Sequence, residues 1–229
     1  MTYTTLLFDA DGTLFDYDRA ETWALTETFA QYGLRFEPAH SQRYRQVNDP
    51  LWEAFEQGQV TQDRLKVLRF ERLFEALGFD VDADAFSASY SRQLGRATFL
   101  VNGAHDLVAG LSGQHRLLLL TNGLTDVQRP RFGASTIGHY FEAWVISEEV
   151  GVAKPDPRIF DIAFERLGRP AKREVLIIGD SLTSDMAGGI AYGIDTCWYN
   201  PAGRQADSSL PVTYEIQDLA QLPAILGSS

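Results

Sequence analysis

The chain has 229 residues, of which 45% are hydrophobic and 22% charged, so it has an ordinary globular composition and room for one large domain or a domain with a sizeable insertion. Its net charge of −11, from 20 basic and 31 acidic residues, argues against polymeric nucleic acid and anionic membranes as partners, because both need a basic footprint. A single cysteine excludes an internal disulfide framework. Neither a signal peptide nor a membrane-spanning segment is recognisable in the sequence, so we expect a cytoplasmic protein.

The first predicted element is a short buried strand that ends in two carboxylates. Leu6 to Phe8 are apolar, and Asp9 and Asp11 follow, with Gly12 directly behind them. In open α/β sheets ligands bind at the carboxyl ends of the strands, and two neighbouring carboxylates repel each other unless a cation or protons compensate. The sequence therefore predicts a ligand or metal site immediately after this strand.

Helical patterns, uninterrupted by a convincing strand, run from Asp16 to about Ala97. The first helix is expected between Asp16 and Gly33, with Asp18 as its N-cap and the glycine as its C-terminal stop. Apolar residues then recur at helical spacing in further segments: Pro38–Val47, Pro50–Gln57, Thr61–Leu77 and Ala83–Leu94. We therefore predict that residues 16–97 form a helical insertion.

Beyond Asn102 the pattern changes to strands that alternate with helices. Apolar runs predict strands at the following positions: Arg116–Leu120, Ala143–Ile146, Val175–Ile178 and Thr196–Tyr199. Helices are expected between them, and a final strand and helix near Val212–Leu226. Alternation of this kind predicts an α/β fold with a doubly wound parallel sheet. This core would comprise residues 1–15 and 98–229.

Several residues that could bind a metal or a phosphate group are predicted to lie at the ends of strands or just before a helix. They are Asp9, Asp11, Thr121, Asn122, Lys154, Asp180 and Asp185. Right-handed crossovers bring the carboxyl ends of parallel strands to one edge of the sheet, so these groups can converge. Oxygen ligands without histidine or cysteine favour Mg²⁺. Lys154 and the donors Thr121 and Asn122 would then bind phosphoryl oxygens. One carboxylate is able to attack the phosphorus, and another to protonate the leaving oxygen and later activate water.

Four motifs in this order resemble those of the haloacid dehalogenase-like (HAD) superfamily: Asp9-Ala10-Asp11-Gly12-Thr13, Leu120-Thr121-Asn122-Gly123, Lys154-Pro155 and Gly179-Asp180-Ser181-Leu182-Thr183-Ser184-Asp185. Each motif alone is a weak signal, whereas all four in order across nearly the whole chain are a specific one. The resemblance implies a Rossmann-like core, a Mg²⁺-dependent phosphatase and a small phosphorylated metabolite as substrate. It also implies that the helical insertion is a C1 cap, the lid that excludes water and selects the substrate. No protein partner is implied.

The resemblance also implies a role for each motif residue. Asp9 would be the nucleophile that becomes an aspartyl-phosphate, and Asp11 the general acid and base. Thr121 and Lys154 would hold the phosphoryl group. The residues implied for the metal are Asp9, the main-chain carbonyl of Asp11, and Asp180, with Asp185 in support.

Longer segments resemble a narrower group, the YjjG/YfnB-like pyrimidine 5′-nucleotidases. They include Val47–Glu53 in the insertion and Val145–Pro155 in the core. This similarity implies a nucleoside 5′-monophosphate such as dUMP, dTMP or UMP as the substrate. Candidates for further substrate contacts are Phe15, Tyr17, Asn48 and Trp52. The chain departs from its relatives at Asn102, where many have proline, and at Pro130, a proline where they have a regular helix, so the start of that helix is left open.

Other functions stay open at the level of sequence. A phosphosugar phosphatase or a phosphomutase of the same fold would use the same residues. A 2-haloacid dehalogenase is a weaker alternative, because its metal-free reaction has no use for a second carboxylate such as Asp11. A receiver-like signalling module, phosphorylated in an acidic pocket, would have no need of the long helical insertion. The plainer structural readings are that Asp9 and Asp11 cap a turn and that Asp185 is a helix-terminal carboxylate stabilised by the macrodipole.

Overall fold

The computed structural model describes residues 3–205 and 210–227, which divide into two compact units. The first unit extends to Tyr17, resumes at Phe99–Thr125 and includes all described residues from Phe132 onward. The second unit comprises Asp18–Thr98 and Asp126–Arg131. Among the described residues, no helix combines the length and the apolar character needed to cross a bilayer.

The first unit is built on a six-stranded parallel sheet with the order β3-β2-β1-β4-β5-β6. The strands are β1 (Thr5–Phe8), β2 (Arg116–Thr121), β3 (Ala143–Ile146), β4 (Val175–Gly179), β5 (Asp195–Tyr199) and β6 (Tyr214–Ile216). The α-helices of the described part of the chain are α1 (Tyr17–Gln31), α2 (Pro38–Glu56), α3 (Gln62–Leu77), α4 (Ala83–Arg96), α5 (Ala104–Leu111), α6 (Thr125–Ala134), α7 (Ser147–Val150), α8 (Pro157–Arg166), α9 (Ala187–Tyr192) and α10 (Leu222–Leu226). The predicted α/β class with a doubly wound, Rossmann-like parallel sheet is confirmed.

The sheet is buried on both faces, which explains why its strands are continuously apolar. Successive residues of a strand point to opposite faces, so Leu6 and Phe8 belong to one hydrophobic cluster and Leu7 to the other. The first cluster includes apolar residues of α5 and α10, and the second includes those of α8. Two separate cores therefore fix the sheet between two layers of helices.

The strand order reverses beside β1. The chain passes from β1 through β2 to β3 on one side, then returns to place β4, β5 and β6 on the other. In doubly wound sheets such a reversal leaves a crevice outside the carboxyl ends of the two strands that flank it, because the helices that follow them lie on opposite faces. The predicted site residues Asp9 and Asp180 follow these two strands, β1 and β4.

The second unit contains most of α1 and all of α2, α3 and α4. The predicted end of α3 at Leu77 is confirmed, and Gly78 follows it in a left-handed conformation. The helix begins at Gln62, one residue later than predicted, because Thr61 is its N-cap and accepts a hydrogen bond from the amide of Arg64. Asp18 lies in the first turn of α1, which begins at Tyr17, so the prediction of Asp18 as the N-cap is wrong by two positions.

The helix α2 is a single helix of 19 residues, and the prediction of two helices separated near Asn48 is wrong. Pro50 lies inside it and removes one main-chain donor, which normally ends or kinks a helix. The flanking residues nevertheless bury an apolar side, including Tyr44 and Leu51, and this packing stabilises the continuous helix.

A second internal proline, Pro130, lies in α6. It removes the donor that would bond the carbonyl of Asp126. Gly95 of α4 lies against this carbonyl, since a Cβ atom at position 95 would be 3.0 Å from the oxygen. The helix α6 therefore continues past Pro130, and Gly95 on the neighbouring α4 leaves room for the turn that lacks this hydrogen bond.

A glycine in α9, Gly189, lets this helix pack directly on the sheet. A Cβ atom at Gly189 would lie 2.7 Å from the Cγ2 atoms of both Ile177 in β4 and Thr196 in β5. Both strand residues are completely buried, so the close contact lies inside the packed interface. The close approach of α9 helps to fix the segment that joins it to β4.

We predict that Gly189→Ala lowers the free energy of unfolding by about 1–3 kcal/mol, because the added methyl group overpacks the interface between α9 and the sheet. Gly110→Ala is the matched control, since position 110 lies in α5 with open space around it. The control is expected to leave stability unchanged or to raise it by up to about 1 kcal/mol. Urea denaturation followed by circular dichroism measures both changes, and equal stability of Gly189→Ala and wild type would contradict this account of the packing.

Candidate active site

The predicted site residues come together at the carboxyl edge of the sheet. Asp9 follows β1, Thr121 is the last residue of β2, and Asp180 follows β4. Lys154 reaches the same edge from the segment before α8, and Asp185 from the segment after β4. Residues far apart in sequence therefore form one cluster because three neighbouring parallel strands end side by side.

The ammonium of Lys154 is the centre of the cluster. Its Nζ atom donates hydrogen bonds to Asp9 Oδ1 at 2.7 Å, to Asp185 Oδ1 at 2.6 Å and to the carbonyl of Leu120 at 2.7 Å. These bonds use all three donors of the group, and the side chain is only 1% exposed. Burial alone would lower the pKa of Lys154, but the carboxylates of Asp185 and Asp9 outweigh this effect and raise it, so the group stays positively charged.

Three carboxylates surround this single ammonium. Asp9, Asp180 and Asp185 each present an oxygen atom within 4.8 Å of the other two. Burial raises the pKa of Asp9 well above its usual range, against the opposing effect of Lys154, and the neighbouring Asp185 and Asp180 raise it further. Burial and the charge of Asp185 raise the pKa of Asp180 to about 7, with Arg204 and Lys154 opposing the change. The protein therefore supplies too little positive charge for three ionised carboxylates, and a divalent cation fits this set of oxygen donors.

Two glycines make room for the carboxylates. Gly12 has a positive φ of +81°, and a Cβ atom there would lie 2.6 Å from Asp180 Oδ2. A Cβ atom at Gly179, the last residue of β4, would overlap the carboxyl group of Asp185. The glycine of the first motif is thus needed both for the turn after β1 and for the close approach of the main chain to Asp180.

Asp185 is held by a short π-helical segment, Leu182–Met186, that precedes α9. Its Oδ1 atom accepts from Lys154, and its Oδ2 atom accepts from the amide of Ser181 at 3.1 Å. A carboxylate that is 1% exposed and bonded through both oxygens is more than a helix-terminal charge, since it orients the ammonium of Lys154.

The main chain of Asp180 is held by two residues that the sequence did not single out as site residues. The indole Nε1 of Trp198 donates to the Asp180 carbonyl at 3.0 Å, and Nη2 of Arg204 donates to it at 2.8 Å. The guanidinium of Arg204 also lies over the indole ring. No signal in the sequence pointed to Arg204, because its contact with Asp180 depends on the path of the chain after β5.

The second motif contacts the third. Both polar atoms of the Asn122 side chain are bonded to the main chain of Lys154, with Nδ2 donating to its carbonyl at 2.8 Å and Oδ1 accepting from its amide at 2.7 Å. The Thr121 hydroxyl, which is buried, accepts from the amide of Gly123 at 3.0 Å. Asp11 is half-buried on the turn after β1, and its carboxylate does not belong to the cluster of three found among the described residues.

The candidates for further substrate contact fall in different environments. Phe15 is fully buried and its ring packs against Phe132 at 5.7 Å, so its predicted contact with substrate is wrong and it is a core residue. Tyr17 is partly buried at the start of α1. In the second unit, Asn48 is 2% exposed, and Trp52 is partly buried with its ring against Phe55.

Comparison with known proteins identifies the family. The family model for haloacid dehalogenase-like hydrolases matches residues 3–193. Three relatives match almost from end to end. The HAD hydrolase YfnB of Bacillus subtilis (strain 168) is 37% identical over 98% of this chain and 95% of its own length. The pyrimidine 5′-nucleotidase YjjG of Escherichia coli (strain K12) is 34% identical over 99% of both chains. The pyrimidine 5′-nucleotidase PynA of Streptococcus pneumoniae (strain ATCC BAA-255 / R6) is 35% identical over 97% of this chain and 94% of its own length.

A crystal structure of YfnB bound to magnesium has a TM-score of 0.94 to this structure, with 36% identity and 99% of each chain covered. The similarity thus extends over the whole fold, and the match of the family model includes all four motifs. The chain belongs to the haloacid dehalogenase-like hydrolase family.

Proposed function

We propose that this protein is a Mg²⁺-dependent phosphomonoester hydrolase that works through an aspartyl-phosphate on Asp9, and that its substrates are pyrimidine nucleoside 5′-monophosphates such as dUMP, dTMP and UMP. The observation that carries the chemistry is the ammonium of Lys154, bonded to Asp9 within a cluster of three carboxylates at the reversal point of the sheet. A nucleophile, a fixed positive charge and a set of oxygen ligands for a metal are thereby close together.

The residues present fit a magnesium site. The carboxylates of Asp9 and Asp180 and the main-chain carbonyl of Asp11 are the ligands we assign, with Asp185 in support. Magnesium prefers oxygen ligands and keeps several waters, so a few carboxylates are sufficient. When bound, the ion would neutralise the carboxylates and withdraw negative charge from the phosphoryl oxygens. The related YfnB structure is described as bound to magnesium.

In the first step, a carboxylate oxygen of Asp9 attacks phosphorus, a new oxygen–phosphorus bond forms, and the bond to the leaving oxygen breaks. Asp11 gives its proton to that leaving oxygen. Lys154 stabilises the negative charge of the phosphoryl group, and the hydroxyl of Thr121 contributes a further donor. The Thr13 hydroxyl, which lies 3.3 Å from Asp9 Oδ2, helps to hold the nucleophile in place.

In the second step, Asp11 accepts a proton from water, and the water oxygen attacks the phosphorus of the aspartyl-phosphate. Inorganic phosphate leaves and Asp9 is regenerated as a carboxylate. Asp11 is more exposed than the buried Asp9, which suits a group that exchanges protons with water. The two aspartates of the first motif thus have separate tasks.

The substrate class is supported by the relatives. YjjG and PynA are named pyrimidine 5′-nucleotidases and match this chain almost from end to end. We assign residues 16–97, which are helical, as the cap that selects the substrate. A phosphosugar phosphatase or phosphomutase would use the same core with a different cap preference, and a receiver-like module would accept one phosphoryl group without turnover.

We predict that Asp9→Asn lowers kcat by at least about a thousandfold, because an amide is not a nucleophile. The amide occupies the same space and retains an oxygen for Lys154, so the melting temperature should change little. Steady-state hydrolysis of p-nitrophenyl phosphate with Mg²⁺ measures the loss, and circular dichroism checks the fold. Retention of about a tenth of the activity would refute the assignment of the nucleophile.

For Asp11→Asn we predict that the phosphoenzyme forms and accumulates, because activation of water is lost while a leaving group such as p-nitrophenolate needs little protonation. Acid quenching and intact-protein mass spectrometry should show one phosphoryl group per chain. The double variant Asp9→Asn/Asp11→Asn is the control and should trap none. Equal loss of both steps, with no trapped species, would contradict the double role of Asp11.

Removal of the metal and a substrate panel test the remaining parts of the proposal. We expect EDTA to abolish activity and added Mg²⁺ to restore it, and we expect dUMP, dTMP and UMP to have a kcat/KM at least about tenfold above sugar phosphates. Release of inorganic phosphate measures both. Full activity in EDTA would exclude the metal, and a preference for sugar phosphates would exclude the nucleotide assignment.

A further inference from the structure

The Asn122 side chain is bonded to the main chain of one residue, Lys154, through both of its polar atoms. We propose that Asn122 is a positioning residue, which fixes the main chain of Lys154 so that its ammonium reaches Asp9, and that its side chain is not a ligand of the phosphoryl group. This inference rests on the proposed function, because it concerns the delivery of Lys154 to the nucleophile.

The pair of hydrogen bonds specifies the residue type at position 122. The amide nitrogen donates to the carbonyl of Lys154 and the amide oxygen accepts from its N–H, so the side chain must carry one donor and one acceptor in a plane. Aspartate accepts but does not donate when ionised, and alanine does neither. Asparagine thus pairs with the main chain of Lys154 much as a neighbouring strand would.

Lys154 has particular need of such an anchor. Its side chain is long and flexible, yet its Nζ atom must meet three acceptors at 2.6–2.7 Å. One of these acceptors, the carbonyl of Leu120, belongs to β2, and Asn122 follows the same strand. The C-terminal end of β2 therefore contacts Lys154 at two points: Leu120 bonds its ammonium, and Asn122 bonds its main chain. A small shift of the main chain would break this alignment.

A further contact ties the same two segments together. The side chain of Glu148 in α7 accepts a hydrogen bond from the amide of Thr125 at 2.6 Å. The loop after β2 and the segment from α7 to Lys154 are thus joined at two places, by Asn122 and by Glu148. Two ties between the segments make their relative position less dependent on either loop alone.

Substitutions of Asn122 and Lys154 are expected to have coupled effects on catalysis, and not independent ones. If Asn122 acts through Lys154, its removal should harm the enzyme only while Lys154 is present. We therefore propose a double-mutant cycle of Asn122→Ala, Lys154→Met and the double variant, with p-nitrophenyl phosphate and saturating Mg²⁺ as the assay. We expect Asn122→Ala to lower kcat by about 10–100-fold with little change in KM, and to add less than about threefold to Lys154→Met.

The cycle is repeated with Lys154→Arg, which keeps the positive charge, in case Lys154→Met does not fold. Gln114→Ala is the matched control for loss of a side-chain amide, because Gln114 is exposed in the turn before β2, at the opposite edge of the sheet. It should behave as wild type. Independent, multiplicative losses in both cycles would overturn the proposal, because they would mean that Asn122 contacts the substrate separately.

Amide hydrogen exchange provides a readout that does not depend on activity. The amide of Lys154 donates to Asn122 Oδ1, so the peptide that contains it should exchange at least about tenfold faster in Asn122→Ala, while β1 and β4 keep their protection. Unchanged exchange at Lys154 would also overturn the proposal. If the wild-type protein hydrolyses no phosphomonoester, the proposed function fails, and the exchange experiment still decides whether Asn122 anchors Lys154.

Discussion

The buried ammonium of Lys154 joins groups from separate stretches of the chain. It bonds Asp9 after β1, the carbonyl of Leu120 in β2 and Asp185 after β4. A charge taken out of water is tolerated only when it is fully paired, and loss of one partner of a buried pair typically costs about 3–5 kcal/mol. Since every partner lies on a different element, the ammonium can be satisfied only when the three central strands and their loops are all in place.

The order of the strands makes this convergence possible, and the glycines make it compact. The reversal beside β1 leaves a crevice at the carboxyl edge, where Asp9 and Asp180 follow neighbouring strands. Without a side chain at Gly12 and Gly179, the main chain comes close enough for the carboxylates of Asp180 and Asp185 to fit. Three carboxylates and one ammonium still leave negative charge in excess, and this excess is what a magnesium ion would neutralise.

The groups of the site differ in how completely they are engaged by the protein. Lys154 and Asp185 are fully bonded and buried, so they hold the geometry. Asp11 is nearer to solvent, which suits the proton transfer that we propose for it. Asp180 is oriented through its main-chain carbonyl by Trp198 and Arg204, which leaves its carboxylate for the metal in the proposed mechanism. Lys154 and Asp185, which the protein holds firmly, thus lie beside the aspartates to which we assign metal binding and proton transfer.

The sequence by itself determined the α/β class, the order of most elements and the family, because continuous apolar runs and four motifs in order are local patterns. Two predictions from the sequence were wrong. Packing keeps α2 continuous through Pro50, a residue type that usually ends a helix, and Phe15 is a core residue and not a substrate contact. Only the tertiary structure decided that the side chain of Asn122 bonds Lys154 and that Arg204 bonds Asp180. Such contacts join residues 24 or more positions apart, and they depend on strand order and loop path, which no local pattern encodes.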